Sequence, residues 1–241
     1  MAESRGRPAR PVAVLDANLL IPRALRDLLL SLADGKVFRP VWQQSILDEL
    51  ERNYPKVAVS HRGADRGEAV KEVAEVLANM ARAFPDASVA IDELIPLGEE
   101  MTCEENDRHV LAVAVAAGAT HVVTENTKDF PAASVPAGIQ VIRVDAFLCE
   151  LLTSDAEAVL DAVEVMCGRY SRPTMTVAEL AERFASGESA PAFRCPATRY
   201  SRGPFVGPRL HPRGRRHAAR NMGSRRLPER TASNGAPYRC E

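Results

Sequence analysis

The sequence predicts an α/β sandwich built on a mainly parallel sheet, and three observations predict it. Short apolar runs end abruptly in polar residues, as residues 11–15 do at Asp16 and residues 121–124 do in the polar stretch 124–130. Runs of that kind mark strands buried on both faces. Stretches with apolar residues at helical spacing alternate with them, the order that produces parallel pairing. Finally, 46% of the 241 residues are hydrophobic, enough for one well-buried domain with an appendage and too little for two full domains.

In chain order, residues 11–15 form the first expected strand. A helix then opens at Pro22, whose fixed φ suits a first helical position, and carries Leu25, Leu28, Leu29 and Leu32 until Gly35 stops it. A second short strand is expected within 36–42 and a helix over 45–53. Residues 62–84 read as a longer helix or helix pair with Val70, Val73, Leu77 and Met80 on one side, and 88–95 as a return to the sheet. The next helix covers 107–117, with Val110, Leu111, Ala114 and Val115 towards the core and Gly118 at its end. Strands follow at 121–124 and 139–142. Two amphipathic helices, 154–167 and 176–185, each open with a capping residue and acids in the first turn.

Beyond Gly187 the text changes to Pro, Gly, Ser and Arg, too sparse in apolar residues for a core, and disorder is expected there. The net charge of -1 hides an asymmetry. Residues 189–241 hold 12 Arg, no Lys and two acids, a charge of +10, against 19 basic and 30 acidic residues and a charge of -11 in 1–188. Clustered Arg would neutralise phosphates.

No apolar run approaches the roughly 18 residues that span a bilayer. The basic, polar residues 1–11 lead into a strand without a signal-peptide apolar region, so a cytoplasmic protein with no membrane partner is expected. The five cysteines are scattered, without a C-x-x-C pair or zinc-like spacing, and read as core residues or incidental thiols.

An acid directly after a buried strand of a parallel sheet stands where such folds bind ligands. Asp16 has that position, although turn or capping aspartates are common there too. Glu49 shares a helix stripe with Trp42, Ile46 and Asn53, which brings a carboxylate to an inward face, or else to the edge of that stripe beside Asp48 and Glu51. Asp107 opens the Val110 and Leu111 helix, where a cap alone would explain it. In 124–130, Asn126 and Asp129 again lie at a strand's carboxyl end, as site residues or turn formers. Carboxylates converging in one pocket would repel one another and must bind cations or protons. Hard oxygen ligands favour Mg2+ or Mn2+, and a metal pair of that kind hydrolyses phosphodiesters without a nucleophilic side chain. His109 points away from Asp107 by about 100° along a helix and reads as structural. Arg108 is either a phosphate contact or a solvated charge.

Four segments in order, Val14-Leu-Asp-Ala-Asn18, Ile46-Leu-Asp-Glu-Leu50, Asn106-Asp-Arg-His-Val-Leu111 and Val122-Val-Thr-Glu-Asn-Thr-Lys-Asp-Phe130, resemble the PIN-domain family, in particular the VapC-like toxins of prokaryotic toxin-antitoxin pairs. The resemblance implies a three-layer PIN-like sandwich, with a nuclease domain in 1–150, a helical extension in 151–187 and the basic tail in 188–241. It implies that Asp16, Glu49 and Asp107 are catalytic acids, Asp16 and Asp107 as metal ligands, with Asp129 as the fourth and Asn126 as its orienting neighbour. It further implies a Mg2+ (or Mn2+) dependent endoribonuclease, an RNA substrate, an inhibiting antitoxin protein and a homodimer. Two rivals are a haloacid-dehalogenase-like phosphatase, which needs an Asp where Asn18 stands, and a degenerate PIN-like module that binds RNA or a partner without cutting. Members of the PIN-domain family with this helical extension tend to end soon after a segment like Ala190-Pro-Ala-Phe193, so the resemblance implies that the Arg-rich tail is the product of a frameshift in a GC-rich gene rather than an evolved RNA clamp. Truncation after residue 187 is expected to leave soluble, folded protein, as read by circular dichroism and size-exclusion chromatography; loss of folded protein would refute the frameshift reading.

Overall fold

Four short strands, Val12–Leu15 (β1), Arg39–Val41 (β2), His121–Val123 (β3) and Gln140–Ile142 (β4), pair in the order β2-β1-β3-β4, and every pair is parallel. The structure is a computed structural model that describes residues 10–90, 105–170 and 174–186, except for the side chains of 105–107 and 185–186. All of these belong to one unit, residues 1–203. The expected tail at 188–241 lies outside the described residues.

Ala13, Val14 and Leu15 of β1 and Val122 and Val123 of β3 are fully buried. Successive strand residues point to opposite faces, so both faces of the sheet are covered and the architecture has three layers. Each of the Val and Leu side chains contributes about 1.5–3 kcal/mol by leaving water. After β1 the chain adds β2 on one side and later β3 on the other. The strand order therefore reverses between β1 and β3, which opens a crevice at their carboxyl ends.

The helices are Ala17–Leu20 (α1), Arg23–Asp34 (α2), Gln44–Arg62 (α3), Arg66–Ala83 (α4), Glu105–Ala116 (α5), Val144–Ser154 (α6), Ala156–Arg169 (α7) and Val177–Ser186 (α8). Pro22 is the N-cap of α2, and Leu25, Leu28, Leu29 and Leu32 are buried as their spacing predicts. At α8 Thr176 and Glu179 form a reciprocal cap. The Thr176 N–H donates to Glu179 Oε2 at 2.7 Å, and the Glu179 N–H donates to Thr176 Oγ1 at 3.2 Å.

Three expectations change. The helix expected over 45–53 continues through Pro55 to Arg62, because Tyr54, Pro55 and Ala58 bury themselves in the hairpin with α4 and outweigh the one missing N–H. Gly63, at φ 63°, then ends it in the left-handed region, and the Asp65 carboxylate caps α4 by accepting from the Glu68 N–H at 3.0 Å. Helix α6, for which the sequence reading had no element, buries Val144, Phe147, Leu148 and Leu151 at helical spacing. Helix α5 is buried from Val110 through Ala114 without a break, so it is enclosed on nearly all sides rather than along one stripe. Of the expected return at 88–95, Ser88 makes a parallel bridge to Trp42, and 91–95 lie outside the described residues. Cys149 is disulfide-bonded, where only thiols were expected, and Cys167 is a free, buried thiol. Among the described residues no helix is long and apolar enough to cross a membrane.

The C-terminal helices lie against the sheet-bearing body through α2 and α7. Gly35 is needed at that contact, since a Cβ there would stand 2.8 Å from Ala162 Cβ and 3.3 Å from the Ser31 carbonyl oxygen. Gly35→Ala is expected to destabilise the protein by about 1–3 kcal/mol in urea unfolding, as overpacking does. Adding Ala162→Gly should recover most of that loss, and a neutral Gly35→Ala would mean that α2 and α7 are not in this contact.

Candidate functional site

The crevice between β1 and β3 is lined first by Asp16. Its N–H donates to the Val123 carbonyl at 3.1 Å, which carries the strand pairing one residue past β1 and sets Asp16 beside Thr124. Asp16 is extended at the N-cap position of α1, yet its side chain makes no capping bond. Simple capping therefore does not account for the carboxylate. Asp16 Oδ2 instead accepts from Thr124 Oγ1 at 2.6 Å and from Asn18 Nδ2 at 2.6 Å. Asn18 Nδ2 also reaches Thr124 Oγ1 at 3.2 Å, and the Asn126 N–H donates to the same hydroxyl at 3.0 Å. Asn126 Nδ2 in turn donates to Asp129 Oδ2. One network thus joins Asp16 to Asp129, with Asn126 holding the second acid.

Glu49 stands half-buried on α3, which packs against α1, and accepts from Asn53 Nδ2 at 3.4 Å. Trp42, expected on the same helix stripe, belongs instead to the sheet edge, and α3 starts after Gln43, whose side chain accepts from the Ser45 N–H at 2.7 Å. Asp107 is the third residue of α5, and its side chain lies outside the described residues. Among the described residues no three of His, Cys, Asp and Glu come together as a metal-holding group. The structure accordingly joins Asp16 and Asp129, places Glu49 on the neighbouring helix, and says nothing of the Asp107 carboxylate.

The donor chemistry fits a hard divalent cation. Among the described residues Asp16, Glu49 and Asp129 have no Lys or Arg partner, whereas Asp27, Asp34, Glu72 and Glu125 each have one. The described hydrogen bonds to Asp16 fall on Oδ2 and leave Oδ1 for another ligand. Asn18 Oδ1 is buried with no hydrogen-bond partner among the described residues, a state that costs about 1–3 kcal/mol. Sequence reasoning did not single out Asn18 or Thr124 as site residues. The signal was present in Thr124, the first polar residue after β3, just as Asp16 is after β1.

Comparison with known proteins gives this arrangement a family. Residues 12–128, from the first residue of β1 into the loop after β3, match the family model of the PIN domain. These residues form a PIN domain. Residues 144–193 match the model of the VapC50 C-terminal domain, beginning at the first residue of α6. A relative named "Putative ribonuclease VapC50" from Mycobacterium tuberculosis (strain ATCC 25618 / H37Rv) is 37% identical over 94 residues, which are 39% of this chain and 54% of the relative. The chain thus spans about half the length of that curated relative. No solved structure matches it.

The PIN-domain protein has a further concavity of about 760 Å³ between α2, α4 and α7, and none of the site acids lines it. On its rim Tyr170 Oη donates to Asp27 Oδ2 at 3.1 Å. Burial, and then the nearby Asp27 charge, push the Tyr170 hydroxyl from 10.0 up to about 12. The folded state then holds a proton that the unfolded chain releases, so this contribution is complete below pH 10 and is lost as pH rises to about 12. Stability measured by denaturant titration should fall across that window, and Tyr170→Phe should flatten the fall; equal slopes would dissociate Tyr170 from it.

Proposed function

We propose that this PIN-domain protein is a Mg2+ (or Mn2+) dependent endoribonuclease, the toxin of a toxin-antitoxin pair. The observation that carries this reading is the set of carboxylates without cationic partners at the strand-order reversal, within a PIN domain whose relative bears a ribonuclease name. Asp16, Glu49, Asp107 and Asp129 would hold the cation, with Asp16 contributing Oδ1. When bound, the ion lowers the pKa of a water and neutralises charge on the phosphodiester. The chain's own part is to hold the carboxylates rigidly. Thr124 and Asn18 fix Asp16, Asn126 fixes Asp129, and the buried sheet beneath them excludes water from one side.

The reading extends to an RNA substrate, an antitoxin protein that covers the acidic crevice, a homodimer and a cytoplasmic location. The nuclease unit is best ended at residue 143, since the boundary expected at 150 falls inside α6. The phosphatase rival lacks its second acid at Asn18.

The test is Mn2+-dependent cleavage of a total RNA pool by wild type and Asp16→Asn. Wild type should cut, and the variant should lose more than about 100-fold in rate while its melting temperature holds. Equal cleavage by both would displace the site, and no cleavage by either would favour the binding module.

A further inference from the structure

The Thr124 hydroxyl has one proton and two lone pairs, and all three are engaged. It donates to Asp16 Oδ2 and accepts from Asn18 Nδ2 and the Asn126 N–H. Thr124 is fully buried, with its N–H donating to the Ile142 carbonyl at 3.1 Å, so its position is set by the sheet. Asn18 adds a second donor at 2.6 Å to the same Asp16 oxygen. Two short bonds to one oxygen of an ionised carboxylate are of the strong, charge-assisted kind. Asn18 also keeps its own Oδ1 buried without a donor among the described residues.

We propose that Thr124, with Asn18, is a positioning residue of the cation site, a clamp that anchors Asp16 by Oδ2 and aims Oδ1 at the ion. The inference rests on the metal-dependent nuclease reading above. It goes beyond that reading by assigning cation affinity to two uncharged residues, one of them 108 positions from the acid it orients. Hydrogen bonds that orient a ligand carboxylate commonly govern affinity by about 10–100-fold.

Thr124→Val keeps the shape of the side chain and removes the hydroxyl. Titration of the full chain with Mn2+ alone, followed by calorimetry without RNA, should show affinity about 10–100-fold weaker than wild type. Thr124→Ser should restore it to within about threefold, and Asn18→Ala, which removes the other donor, should weaken it in the same direction. In cleavage assays the Thr124→Val deficit should shrink as Mn2+ is raised. A role in packing alone predicts the opposite pattern, since valine suits a buried strand end and serine leaves a void. If wild type binds Mn2+ and Thr124→Val binds it equally, or if Thr124→Ser is as weak as Thr124→Val, the clamp is overturned and the nuclease reading stands. Should Thr124→Val fail to fold, Asn18→Ala with wild-type affinity overturns the clamp instead. Wild-type protein that binds no Mn2+ overturns the nuclease reading and this inference together.

Discussion

The parallel pairing of β1 with β3 is the contact on which the rest of this protein depends. Leu15 stands opposite Val123, and the Asp16 N–H continues the ladder to the Val123 carbonyl. That register places the first residue after each strand side by side. The same constraint that packs the core therefore aligns Asp16 with Thr124. Because β2 lies on the other side of β1, the connections leave in opposite directions, and the carboxyl ends of β1 and β3 stay uncovered by their own crossovers.

Some acids elsewhere are neutralised by neighbours: Asp34 pairs with Arg169 and Glu72 with Arg62, whose hydrogen bond holds the Glu72 carboxyl below its ordinary range. Such exposed pairs are worth little individually. Their value as a comparison is greater, because within the described residues Asp16, Glu49 and Asp129 are stabilised by amides and a hydroxyl and lack any cation of the chain. Neutral donors orient a carboxylate without cancelling its charge, which is what a cation site requires.

The C-terminal helices reinforce the body through contacts to α2. Gly35 allows α7 to approach, Arg169 and Tyr170 reach Asp34 and Asp27, and Phe147 of α6 packs edge-on to Phe38 with ring centroids 5.2 Å apart. An aromatic pair of this geometry adds about 0.5–1.5 kcal/mol beyond its burial. The match to a distinct C-terminal domain from residue 144 coincides with the start of these contacts.

The sequence by itself determined what depends on short-range periodicity. The apolar run before Asp16, the leucine stripe of α2 and the Thr176 cap each fold as their local patterns require. It also set Asp16 and Asp129 after strands, because that placement follows from the alternation of elements along the chain. Continuation of α3 past Pro55 was not legible, since burial against α4 outweighs a local penalty. Helix α6 is legible in the helical spacing of Val144, Phe147, Leu148 and Leu151. The set of side-chain partners follows from the folded arrangement alone. Thr124 acts on Asp16 across 108 residues and Asn18 on Thr124 across 106, through hydrogen bonds that exist only once β1 and β3 are in register. Periodicity is a property of neighbours in the chain, whereas a hydrogen bond needs atoms within about 3 Å in space, and that distance is set by strand pairing.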